Sequence, residues 1–156
     1  MRALLISTYE LGRQPFGLAS PAAWLRAAGW DVACVDTAKD SLRDDSLAAA
    51  DLIGFHLPMH TATRLAAPFV TKARRMNPAA RIWAVFEPRS ASSCRRVFQD
   101  DFARAFTSAD EVLVAPVFRS TLPEAERLSV GRLVRDLQDR GQSAREASID
   151  DIIGAI

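Results

Sequence analysis

His56 and His60 stand four residues apart, a spacing that on a helix would offer a metal two imidazoles from one face. Pro58 lies between them and a strand is expected to end there, so helical geometry does not apply. No Cys, Asp or Glu shares the loop, and the expectation is two loop histidines and no metal site. Cys94 precedes Arg95 and Arg96 at the expected start of a helix, an electropositive setting of the kind that activates a thiol. No base with an orienting partner can be named for it. Cys34, beside Val32 and Val35, is expected to be a small buried hydrophobe. Gly12-Arg13-Gln14-Pro15-Phe16-Gly17 has the glycine spacing of a P-loop, but Leu18-Ala19 stand where Lys and Ser/Thr must be. No GxGxxG and no GxSxG occurs, and Ser90 has no evident histidine partner. The acid pairs Asp100-Asp101 and Asp150-Asp151 are expected on solvent-facing helix surfaces.

The elements that would position these residues follow from composition and periodicity. At 156 residues, with 49% hydrophobic and 25% charged residues, the chain has the balance of one globular domain. Twenty basic residues against 19 acidic give a net charge of +1, which speaks against a strongly basic nucleic-acid binder. No apolar run approaches the length of a membrane span, and Met1–Ser7 reads as a buried strand rather than a signal peptide. Two cysteines without CxxC spacing fit a reducing compartment, so a cytoplasmic location is expected. Short apolar runs at 3–7, 31–35, 52–55, 81–86, 111–115 and 143–147 read as strands. Helices are expected from Ser20-Pro21 to Gly29, from Thr61 to Met76, and from Ser92 or Ser93 to about Ser108. Two more are expected from Leu128 to Arg140 and over Ile149–Ile156, with a short turn at 46–50. The helix over Thr61–Met76 has Leu65, Phe69, Val70 and Ala73 on one stripe. Strand alternating with helix predicts one α/β domain over 1–156: a three-layer flavodoxin-like or Rossmann-like fold. Its mostly parallel sheet would have five or six strands, with helices on both faces.

In such sheets ligands bind outside the carboxyl ends of the strands. The loops delivered there are 8–17, 36–39, 56–61, 86–93 and 116–122, which hold both histidines, the only tyrosine and several arginines. The clustering suits a binding crevice, and it equally suits the ordinary placement of polar residues on loops.

Two resemblances add to this. Leu4-Leu5-Ile6-Ser7-Thr8-Tyr9-Glu10-Leu11-Gly12, Gln14–Ala19, Ala50-Asp51-Leu52 and Pro58–Arg64 are similar to the cobalamin-binding domain of radical SAM enzymes, over residues 1 to about 80. That resemblance implies a corrinoid at the sheet edge, near Thr8, Tyr9, Gly12, His56, His60 and Thr61. The family's Asp-x-His-x-x-Gly motif is absent, since no histidine precedes His56, and Ala115-Pro116-Val117-Phe118 replaces its late glycine-rich loop. From about Ile82 onward, Trp83–Ser90, Arg95–Gln99 and Ala109–Val112 resemble the C-terminal domain of Mur ligases, in the branch that recycles muropeptides. Ala91-Ser92-Ser93 stand where members of that family continue Asn-Thr-Ser. This second resemblance implies affinity for an acidic peptide or a phosphate at Arg89 and Ser90.

The two resemblances meet at a fusion seam over 77–82. Together they imply an engineered chimera: a non-enzyme with no inherited catalysis, no required cofactor, and neither nucleic acid nor membrane as partner. The alternative is a module that keeps weak cobalamin binding. Apolar residues exposed at the seam would favour self-association.

Overall fold

A computed structural model describes residues 1–118, 121–148 and 151, without the side chain of His60. All but Asp151 of the closing helix expected over Ile149–Ile156 lies outside the described residues. The chain divides into two compact units, Met1–Ala80 and Arg81–Ile156.

In the first unit the chain runs β1 (Arg2–Ser7), α1 (Phe16–Ala27), β2 (Asp31–Asp36), α2 (Asp44–Ala48), β3 (Leu52–His56) and α3 (His60–Met76). The strands pair in parallel in the order β2-β1-β3, with Ala3 opposite Val32 and Leu52, and Ser7 opposite Asp36 and His56. The central strand is apolar almost throughout because both its faces are covered. Ala3 and Leu5 pack with Leu18 and Ala22 of α1, while Leu4 and Ile6 pack with Leu42, Leu47 and Ala73. Three layers are thus formed here.

The start expected for α1 at Ser20-Pro21 is corrected: the helix begins at Phe16, and Pro21 lies inside it. Proline there forgoes the bond to the Gly17 carbonyl, a loss that burying Leu18 and Ala22 on the sheet outweighs. Gly29, at φ +85°, ends the helix as expected. On α3 the buried positions are Ala62, Ala66 and Ala73, joined by Phe69 and Met76, whereas Leu65 is 46% exposed. Cys34, expected to be buried, is exposed. β2 is an edge strand, and α1 covers Val32 on that face without reaching Cys34.

The second unit contains β4 (Trp83–Phe86), α4 (Gln99–Ala105), β5 (Glu111–Val114), α5 (Val130–Gln138) and β6 (Ser143–Glu146), with parallel order β4-β5-β6. Val112 and Val114 pack with Ala103, Leu133, Val134 and Leu137 in one core. The Phe86 ring lies 4.6 Å from Phe102 and 5.4 Å from Phe106. α4 and α5 join the same core, so they lie on one face. Right-handed crossovers demand this when strands are laid down in one direction, whereas the reversal at β1 puts helices on both faces.

The expectation of a single sheet of five or six strands is therefore corrected to two three-stranded parallel sheets, with β3 and β4 in different sheets. Helices on both faces hold for the first unit, where each face of β1 has its own cluster. Each sheet closes its core from its own residues: none of the clustered side chains in the first lies beyond Met76, and none in the second before Ala84. The helix expected from Ser92 or Ser93 is likewise shorter. A 3-10 turn at Arg96–Phe98 leads into α4, and Val97 in that turn is exposed. Serine hydroxyls at 90 and 93 hold the preceding backbone in a turn that competes with helix.

Candidate functional site

The order β2-β1-β3 makes the gap between the carboxyl ends of β1 and β3 a switch point, where the connections after the two strands lead to helices on opposite faces. His56 ends β3 at that point, and its Nε2 lies 3.2 Å from Oε1 of Glu10 in the β1–α1 loop. The same Oε1 accepts the Gly17 amide at 3.3 Å. Gly17 is a glycine for lack of space, since a β-carbon there would stand 2.2 Å from His56 Nε2. The Glu10 carboxylate holds the imidazole by its Nε2. This acid–imidazole pair is one that sequence reasoning did not find. Glu10 lies far from His56 in the chain, and its only signal was a carboxylate following a buried strand.

The other residues expected at this edge are placed differently. Thr8 is buried and donates its hydroxyl to the Ala62 carbonyl at 2.8 Å, tying the loop to α3. Gly12 turns the loop at φ +72°, directly after Leu11 at φ +53°. Tyr9 is half-buried and Thr61 is exposed near the start of α3, while the His60 side chain lies outside the described residues. Among the described side chains, Gly17 packs against the His56 ring and the Thr8 hydroxyl is spent on α3, which leaves neither open to a corrin. A cavity of about 330 Å³ opens at the opposite end of this sheet, lined by Arg2, Asp31, Asp45 and Ser46, and none of these loop residues reaches it.

In the second unit the loop after β4 is a serine-tied turn. Ser93 Oγ accepts the amides of Arg89 at 3.0 Å and Ser90 at 2.9 Å. Ser90 Oγ bonds Ser93 Oγ at 2.9 Å and accepts the Ser93 amide at 3.0 Å, so this hydroxyl serves the turn. The Arg89 guanidinium lies 4.0 Å over the Phe118 ring and 3.4 Å from the Glu87 carboxylate, with its side chain 61% exposed. Phe118, in the loop after β5, donates its amide to the Pro88 carbonyl at 3.0 Å. Two loops at one sheet edge thus hold a cation that still faces solvent. Phe118 and Ser93 were missed because neither carries charge.

Cys94 corrects the reading of an activated thiol. It is 3% exposed, precedes the 3-10 turn rather than opening a helix, and donates its thiol to the Pro88 carbonyl at 3.3 Å. Among the described residues no three His, Cys, Asp or Glu side chains are grouped to hold a metal, and no helix is long and apolar enough to cross a membrane.

No family model and no solved structure matches the chain. It is 38% identical over 77 residues to the UDP-N-acetylmuramate--L-alanine ligase of Synechococcus sp. (strain RCC307), which covers 49% of this chain and 16% of that protein. It is 33% identical over 86 residues to the ligase of the same name from Maricaulis maris (strain MCS10), covering 55% and 18%. The chain thus spans less than a fifth of the length of these curated relatives. Both are enzymes by name, which overturns the expectation of a non-enzyme. Over about half its length, the chain is similar to Mur ligases.

Proposed function

We propose that the second unit recognises the acceptor of an amide-forming ligase, an amino acid or short peptide, by its carboxylate. Arg89 carries the reading: a guanidinium with a planar fork, steadied by the Phe118 ring and Glu87, at the carboxyl edge of a parallel sheet. The half-chain similarity to ligases named for L-alanine supports it. So do Phe86-Glu87-Pro88-Arg89-Ser90, the residues that carry the resemblance in this unit. In this reading the carboxylate takes two parallel N–H bonds from Arg89, displacing Glu87, while the serine-tied turn keeps the Arg89 backbone in place. Activation by a nucleotide is not assigned to Gly12–Gly17, which lacks the P-loop lysine. The same reading takes the chain as two joined half-domains with the join at 77–82. It is supported by the two resemblances falling on different residues and by each unit closing its own core.

The test is an amide-resonance titration of the whole chain with L-alanine and with L-alaninamide, which lacks the carboxylate. L-Alanine is expected to give saturable shifts over Glu87–Ser93 that Arg89→Ala abolishes and Arg89→Lys weakens. Equal shifts with L-alaninamide, or binding that survives Arg89→Ala, overturns the reading.

A further inference from the structure

We propose a second ligand site, for a small organic ammonium ion, at the last rung of the first sheet, where Asp36, Ser7 and His56 lie side by side beneath Glu10. The proposal is independent of the reading of the second unit. In the parallel register Ser7 pairs with Asp36 on one side and His56 on the other. Side chains two apart along a strand share a face. Ala3, Leu5 and Val32 face α1, so Ser7 and Asp36 do too, and the Gly17–His56 contact puts the imidazole on the same face.

The two carboxylates and the serine hydroxyl at this rung can each accept a hydrogen bond. The Ser7 hydroxyl is 1% exposed, and Oγ has no partner among the described residues, an uncommon state for a buried polar atom in a native protein. One Asp36 oxygen accepts the Ala38 amide at 3.0 Å, and Glu10 uses Oε1 for both Gly17 and His56. Among the described residues no lysine or arginine pairs with either carboxylate, although Asp45, Asp100 and Asp101 all have arginine partners.

An ammonium group carries three donors and no acceptor, and it complements this set in charge and in hydrogen bonding. An anion would meet two carboxylates. It would also find the first amides of α1 already bonded: Phe16 to the Gln14 carbonyl, Gly17 to Glu10 and Leu18 to the Pro15 carbonyl. Ser7 is 1% exposed, so an ammonium ion reaches its hydroxyl only if the chain around it opens.

The experiment titrates the whole isotope-labelled chain with propylammonium chloride, sodium propionate and propan-1-ol, three probes of one size, at matched ionic strength. Propylammonium alone is expected to shift the Ser7, Glu10, Asp36 and His56 resonances, saturating in the millimolar range. Glu10→Gln and Asp36→Asn should each weaken it about three- to fivefold, the effect of one partly exposed charge pair. Equal shifts from propionate or propan-1-ol, or none from propylammonium, overturn the proposal. If a variant fails to fold, the three-probe comparison on the unaltered chain decides alone.

Discussion

Gly17 and His56 are in direct contact, so close that the smallest side chain at 17 would overlap the imidazole at 2.2 Å. Gly17 lies in the first turn of α1, where alanine is worth up to about 1 kcal/mol more than glycine in helix propensity. Gly17→Ala should therefore leave stability within about 1 kcal/mol while swinging the ring away from Glu10. Imidazole resonances of His56 report the swing, and unchanged resonances would show that the two residues do not touch.

Gln99 is the one buried side-chain amide at the start of α4, and it clamps the cap of α5. Its Nε2 donates to the Ser129 carbonyl at 3.1 Å, and its Oε1 accepts the Ser129 amide at 3.0 Å. Gln99→Leu keeps the bulk and orphans both backbone groups, at a cost of about 2–4 kcal/mol. Urea unfolding of the second unit measures it. A cost below about 1 kcal/mol would mean that the Ser129 groups find water instead.

The two thiols should react at very different rates. Cys34 is exposed on an edge strand, whereas Cys94 is buried with its thiol on the Pro88 carbonyl. A chromogenic disulfide reagent should titrate one thiol per native chain promptly, and Cys34→Ser should remove that phase. Cys94 should follow only as the second unit opens.

Asp45 sets a small acid sensitivity. The Arg43 guanidinium hydrogen-bonds its carboxyl and holds it at about 2, against an ordinary 3.8. The folded value lies below the ordinary one, so this stabilisation is complete above pH 3.8 and is lost as pH falls toward 2. Both side chains are solvent-exposed, which keeps the effect small. A carboxyl-carbon titration should find the low midpoint, and Arg43→Ala should return it toward 3.8.

Much of the element order was legible because hydrophobic period is local. β1, α3 and β6 lie within a residue or so of where their apolar patterns put them. What periodicity does not encode is the neighbour. The run Trp83–Phe86 announces a buried strand and is silent on whether β3 or β5 lies beside it. Cys34 alternates like a core residue because β2 is patterned for a sheet, yet an edge position leaves it in solvent. Ser20-Pro21 carries the signature of a helix start, yet the helix opens at Phe16, with Pro15 at its cap and no side-chain capping bond. Local chemistry did not choose that start, and the packing of Leu18 on the sheet did. At the site, Arg89 was visible by its charge, whereas the Glu10–His56 pair needed β1 and β3 to be adjacent first.

The self-contained ladders of the first unit bear on how the chain is made. Every strand partner of β1, and every side chain in its two cores, belongs to the first 80 residues. A ribosome adds residues at roughly 5–20 per second, slowly beside the milliseconds in which such local α/β contacts form. The first unit can therefore fold while the second is still being translated, and its strands need never wait, unpaired, for β4 to emerge.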